Sequence, residues 1–181
     1  FDKLFLSWNR PQEHPDLITV DLREKLAPNK SVTIYLTYFS KIPSNEFTKY
    51  GYANNGNLNL KNWFLTPARY EKNNFVKYSN SNLDDIANGI CDFMIQFKIP
   101  KEATLTTDLI ITNQIEEKKQ TNYFLEDTYR TDFSLFIESK SNFKSYKSEQ
   151  VEVVTNLKDN NLNDIQKAIV IDRVVNYVSE T

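Results

Sequence analysis

The sequence predicts an all-β fold, an antiparallel β-sandwich or saddle-like domain with a C-terminal linker helix, on three observations. Apolar and polar residues alternate over seven or eight short stretches before residue 160. The stretches recur at intervals typical of antiparallel sheets, and almost no helical period separates them. Only near the end does the spacing change to that of an amphipathic helix. The chain has 181 residues, 40% of them hydrophobic and 25% charged, which is enough for a single domain with a sizeable core.

Each element has its own reason. Phe1 to Trp8 is a weak first candidate. Leu17 to Leu22 alternates through Ile18, Val20 and Leu22, and Val32-Thr33-Ile34-Tyr35-Leu36-Thr37-Tyr38 is the clearest half-buried strand in the chain. The turn residues Pro28 and Asn29 lie between them, so the two are expected to pair as antiparallel neighbours. Residues 44–88 show little clean periodicity and are too long for a structureless loop, so short irregular strands are expected there. Their aromatics, Tyr50, Tyr52, Trp63, Phe64, Tyr70, Phe75 and Tyr78, are expected mainly in the core, with a binding surface as the competing role. Phe93, Ile95, Phe97 and Ile99 alternate until Pro100, which has no N–H for a ladder. Further strands are expected at 105–113, 122–125, 133–139 and 150–155, with Glu116-Glu117-Lys118-Lys119 as a polar hairpin tip. Glycine is scarce, at three residues, and the abundant asparagine is expected to take over its turn duty. Ile165, Ala168, Ile169, Val175 and Val178 then recur at helical spacing, and Asn163 with Gln166 three residues on reads as a capping box. The domain reading is a β domain over 1–160 and a linker helix over 161–181. The helix either packs back on the sheets or leads into a further domain, and the second is preferred.

Composition narrows the function. Lys+Arg 22 against Asp+Glu 24 gives a net charge of −2, so nothing drives the domain toward nucleic acid or anionic lipid. The apolar runs are far shorter than the roughly 20 residues a membrane-spanning helix needs. One cysteine, Cys91, closes no intrachain bridge, and one histidine, His14, builds no His/Cys zinc site. His14 lies in Arg10-Pro11-Gln12-Glu13-His14-Pro15 and reads as a surface residue of a turn. Asp84-Asp85 beside Asn80 and Asn82 lacks the central glycine and closing glutamate of a calcium loop and reads as a solvated turn. Asn29-Lys30-Ser31 has the form of a glycosylation acceptor, which matters only in a secretory eukaryotic setting. No catalytic or metal-ligating residue is assigned. Phe1 stands where a start methionine would, and the chain reads as a piece of something longer.

A resemblance sharpens this picture. Leu17-Ile18-Thr19-Val20-Asp21-Leu22, Leu26-Ala27-Pro28-Asn29-Lys30-Ser31-Val32-Thr33-Ile34 and Leu36-Thr37-Tyr38 resemble the opening of the N-terminal domain of aminopeptidase N family zinc metallopeptidases. Tyr50-Gly51-Tyr52, Asn62-Trp63-Phe64-Leu65-Thr66-Pro67-Ala68-Arg69-Tyr70, Asn82-Leu83-Asp84-Asp85 and Asp92 to Pro100 are similar to the bacterial branch. Asp132 to Ser139, Phe143 and Gln150 to Thr155 resemble the domain's last strands, and the helix from Asn163 resembles its link to the catalytic domain. The resemblance implies a saddle-shaped β domain, itself without a cofactor, packed against its own catalytic domain. Zinc, the His-Glu-x-x-His motif and the Gly-x-Met-x-Asn loop would belong to that domain, and all are absent from this chain. The partners implied are that domain and a peptide substrate. The family's N-terminal domain contributes one polar side chain to the substrate-amine site, and the nearest position is Asn62, where the bacterial branch tends to carry Gln. Asn is one methylene shorter and reaches less far. The alternative function is a stand-alone β-sandwich binding or adhesion module, since fold alone does not choose between them.

Overall fold

The computed structural model describes residues 5–76, 88–147, 151–156 and 158–180. Tyr78, Asn80, Asn82 and Asp84-Asp85 lie outside them. Among the described residues the order is β1 (Trp8–Asn9), β2 (Thr19–Val20), β3 (Gly51–Tyr52), β4 (Leu58–Lys61), β5 (Tyr70–Glu71), β6 (Asn74–Phe75), β7 (Cys91–Pro100), β8 (Thr104–Thr107), β9 (Ile110–Glu116), β10 (Gln120–Arg130), β11 (Ser134–Glu138), β12 (Lys144–Lys147), β13 (Glu152–Thr155) and α1 (Asp164–Ser179). The fold is mostly β with a C-terminal helix, as the alternation predicts.

Two sheets carry the centre. One has the order β7-β10-β9 and the other β3-β4-β11-β8, all pairs antiparallel. Because side chains alternate across a strand, each sheet turns one row inward. Ile99, Tyr123 and Leu125 come from the first sheet and Leu60, Leu105, Leu135 and Ile137 from the second; Phe133 and Leu109 fill the ends. Leu125 and Leu135 are 0% exposed. Trp63 and Phe64 pack against this core, and Phe64 stacks on Phe133 at 4.3 Å while Phe93 meets Phe133 edge-on at 4.9 Å. Aromatic pairs in these geometries add attraction beyond the area they bury. The aromatics of the middle therefore divide: Trp63 and Phe64 are core, whereas Tyr50, Tyr52, Tyr70 and Phe75 are exposed.

Several expectations are corrected. Residues 31–40 form no strand, and Tyr35 and Phe39 are 90% and 100% exposed. β2 pairs with β1, through Trp8↔Val20 and Asn9↔Thr19, and 32–38 is not hydrogen-bonded along the other edge of β2. The stretch 105–113 is two strands rather than one. It breaks at Asp108-Leu109, where Leu109 is buried and its N–H donates to Thr107 Oγ1 at 3.2 Å, and β8 and β9 then belong to different sheets. The strand at 122–125 extends over 120–130. β12 was not anticipated, because Lys-Ser-Tyr-Lys offers one apolar residue and no alternation, and it pairs with β13. The 117–119 hairpin tip does form, with Glu117 N–H donating to Gln120 O at 2.8 Å.

Asparagine does take turn duty. Asn29, Asn62 and Asn73 have φ of 58°, 51° and 62°, in the left-handed region that most side chains avoid. Gly51 is a true glycine position: φ is +123°, and a Cβ there would lie 2.1 Å from the Pro43 carbonyl oxygen. That approach lets Tyr52 N–H donate to Pro43 O and Asn45 N–H to Tyr52 O, both at 2.9 Å.

The helix begins where its cap predicts. Asn163 Oδ1 accepts from Gln166 N–H and Gln166 Oε1 accepts from Asn163 N–H, both at 2.9 Å. Two first-turn donors are thereby satisfied. Most of its apolar stripe is uncovered. Ala168, Ile171 and Val175 are half-buried, while Ile165, Ile169, Val170, Val174, Tyr177 and Val178 face solvent. No helix of the described residues is long and apolar enough to cross a membrane.

Candidate functional site

Where β4 ends and β10 turns into β11, polar chemistry converges on an open cleft of about 430 Å³. It is lined by Lys61, Ile90, Asp108, Tyr129, Arg130 and Asp132, with Thr131 and Ser134 completing the wall. The backbone explains the convergence. β10 and β7 lose register between Asp127 and Arg130, a bulge that sets Thr128 and Tyr129 against the single residue Asp92. Tyr129 takes φ 57°, its N–H donates to Asp92 Oδ1 at 3.2 Å, and its ring is 84% exposed. The bulge turns Arg130 toward the elbow between β8 and β9. There its guanidinium meets Asp108 at 2.5 Å and Asp127 at 3.4 Å, and its Nε donates to Asp132 O at 3.4 Å.

Asp108 and Asp132 each fix backbone as well as charge. Asp108 Oδ1 accepts Ser134 N–H at 2.8 Å and Asp132 Oδ1 accepts Phe133 N–H at 2.7 Å. Asp132 also faces Lys61 Nζ at 3.6 Å. Asn62, in its left-handed turn at the end of β4, completes the set: with its amide nitrogen toward Asp132 it donates to both carboxylate oxygens at 3.2 Å. The structure thus places Asn62 just past a strand end, exposed and bound to Asp132, while the residues that line the cleft do not include it. Each carboxylate is thus paired with a donor, and no isolated charge is left buried. The arrangement is suited to binding polar groups by exchange of hydrogen-bond partners.

Cys91 sits behind the bulge, its Sγ donating to Arg130 O at 3.5 Å. Burial, and secondarily the Asp92 charge, push its thiol pKa up, so it stays protonated and is a poor nucleophile. His14 is half-buried rather than fully exposed and holds its turn by accepting Leu17 N–H at 3.0 Å. Among the described residues no three His, Cys, Asp or Glu side chains come together as a metal site. A second open cleft, of about 310 Å³, lies at the start of α1 between Lys144, Tyr146, Lys158, Asp159 and Lys167. Lys144 there binds Asp164 at 2.8 Å.

The sequence singles out none of the cleft's lining residues as functional; Asn62, which it does single out, reaches the cleft only through Asp132. Arg130 and Asp108 are 22 residues apart, and no local pattern joins them. The one available signal was Tyr129-Arg130-Thr131-Asp132, a charged interruption between two apolar runs. No family model matches the chain, no curated protein matches it, and no solved structure matches its fold.

Proposed function

We propose that this chain is a non-catalytic β domain that docks on a catalytic domain, as the N-terminal domain does in aminopeptidase N family zinc metallopeptidases, and helps form the substrate cleft. The observation that carries this reading is α1. Its N-terminus carries a capping box, yet Ile165, Ile169, Val174 and Val178 remain exposed. A helix of this length gains most of its stability from burying an apolar face, so such a face is expected to be covered by further protein. Asn62 supports the finer part of the reading, because its amide binds Asp132, a residue that lines a polar cleft. In this role Asn62 accepts a hydrogen bond from the substrate ammonium, zinc belongs to the catalytic domain, and this chain supplies only the wall.

The test is made in the full-length protein. Zinc-dependent release of amino acids from aminoacyl reporters is expected, and Asn62→Ala should lower kcat/KM by roughly tenfold to a hundredfold, the loss of one charge-assisted hydrogen bond worth about 1.5 to 3 kcal/mol. A full-length sequence without His-Glu-x-x-His defeats the reading. The alternative, a stand-alone β-sandwich binding or adhesion module, is favoured by the exposed aromatics Tyr50, Tyr52, Tyr70 and Phe75, and would gain from that outcome.

A further inference from the structure

Two of the three glycines follow an asparagine, giving the pairs Asn55-Gly56 and Asn88-Gly89. An Asn-Gly peptide is open to a known side reaction, because glycine has no side chain to shield its backbone nitrogen from the preceding carboxamide. The fold treats the two pairs in opposite ways. Asn55 and Gly56 are exposed in the turn between β3 and β4, whereas Asn88 and Gly89 are half-buried; space around the glycine does not separate the pairs, since neither has an atom within 4 Å of where its Cβ would be. Asn55 Oδ1 accepts the N–H of Asn57 at 3.1 Å. That bond curls the carboxamide forward along the chain, toward Gly56 N, and aims a donor at the oxygen on which negative charge builds during attack. The Gly56 N–H donates to Ala53 O at 2.9 Å, and this bond has to open first. In an exposed turn such opening is local and does not require the sheets to unfold.

Asn88 is held. Its Nδ2 donates to Thr131 O at 3.1 Å, its Oδ1 accepts from Thr66 Oγ1 at 3.0 Å, and its backbone is bridged to Ala68. The carboxamide is stretched between two distant segments and kept from its own downstream nitrogen.

We propose that Asn55 is a site of spontaneous, structure-selected deamidation, and that Asn88 is protected by the fold. The Gly56 nitrogen loses its proton to hydroxide and attacks Cγ of Asn55. The Cγ–Nδ2 bond breaks, and ammonia leaves with a proton from water. The resulting five-membered imide is opened by water at either carbonyl, giving aspartate or isoaspartate, with no change in oxidation state. The product alters the hairpin. A carboxylate arises two residues from Asn57, whose Nδ2 donates to the buried Glu138 carboxylate at 3.2 Å, and the isoaspartate form lengthens the turn backbone by a methylene. Both changes loosen the pairing of Gly51 and Tyr52 with Asn59 and Leu58.

The experiment is peptide mapping by mass spectrometry of the folded chain held in mildly alkaline buffer, with a parallel sample in urea. In the folded sample Asn55 should convert about tenfold or more faster than Asn88, the factor expected when two hydrogen bonds must first be released. In urea the two rates should converge, because both are then unstructured Asn-Gly. Thr66→Ala should speed conversion at Asn88 and leave Asn55 unchanged, and Asn55→Gln should suppress the product at 55. Equal folded rates, a faster Asn88, or no conversion of folded Asn55 over the time that converts both in urea would each overturn the proposal.

Discussion

Residues 31–40 and β7 carry the same alternation, four apolar residues on one side and mostly polar ones on the other, and they end in opposite states. In β7, Phe93, Ile95, Phe97 and Ile99 lie against the core, and the strand runs beside β10 from Cys91 to Pro100. In 31–40, Val32, Ile34, Leu36 and Tyr38 stay exposed, though less so than Tyr35 and Phe39. The C-terminal end of the segment is tied by polar contacts: Tyr38 Oη accepts Leu65 N–H at 3.2 Å, and Ser40 Oγ donates to Trp63 O at 3.1 Å. The difference teaches that alternation decides which side of a segment is apolar, whereas a ladder also needs a neighbour with free N–H and C=O groups. β10 provides that neighbour for β7. For 31–40 no strand lies alongside among the described residues: β2 pairs with β1 alone, and β4 has both edges taken by β3 and β11.

The largest expected effect tests the packed side. Phe133→Ala removes the ring that joins Phe64 and Phe93, and Leu125→Ala empties a fully buried position; each should cost about 3 to 5 kcal/mol in urea unfolding. Leu36→Ala should cost less than about 0.5 kcal/mol. A Leu36→Ala cost equal to that of Leu125→Ala would break the comparison by showing that 31–40 is packed in solution.

Next comes the anchor at the far end of the exposed segment. Gly51→Ala forces a Cβ onto the Pro43 carbonyl at a positive φ and should cost roughly 3 kcal/mol, seen as a lower urea midpoint and loss of amide protection at Tyr52. A neutral substitution would mean that the loop at Pro43 is not seated on β3.

The helix sharpens the contrast from the other end of the chain. Asn163→Ala removes one arm of the capping box and should cost α1 about 1 kcal/mol. Because α1 buries little, the loss should appear as reduced helical circular dichroism with an unchanged unfolding midpoint for the sheets. A shift of both together would show the helix docked on the β core.

The smallest effect is electrostatic. Asp164 has its pKa lowered by the hydrogen bond from Lys144 and then by that residue's charge, and Lys144 has its own raised by the same contacts. The carboxylate contribution is present above the ordinary value near 3.9 and fades as pH falls through the depressed folded value. The ammonium contribution is present below the ordinary value near 10.4 and fades as pH rises through the raised one. Both groups are in water, so stability should move little. Lys144→Met should raise the Asp164 titration midpoint measured by NMR, and an unmoved midpoint would remove the pair.

Much of the centre was legible because its segments announce both pattern and limit. Pro100 stops β7, Glu117 to Lys119 turn β9 into β10, and Asn163 with Gln166 starts α1. The elbow at Asp108-Leu109 was hidden because Leu109 continues the apolar run while the backbone changes sheet. Asn62 was found at a strand end by position, but its partner Asp132 lies 70 residues away, and Arg130 draws Asp108 and Asp127 together only after the bulge has formed. Such contacts belong to topology and leave no trace in local spacing.

That elbow has a mechanical consequence. β8 is hydrogen-bonded along β11 in one sheet and β9 along β10 in the other, with only Asp108 and Leu109 between them. The two layers are therefore stitched here by a tether too short to let them slide, and the links β7–β8 and β10–β11 cross between the same layers. Under a stretching force, the ladders should rupture strand by strand before the layers slip past each other, because slipping would first drag Leu109 out of the core and tear Asp108 from Arg130 and Ser134.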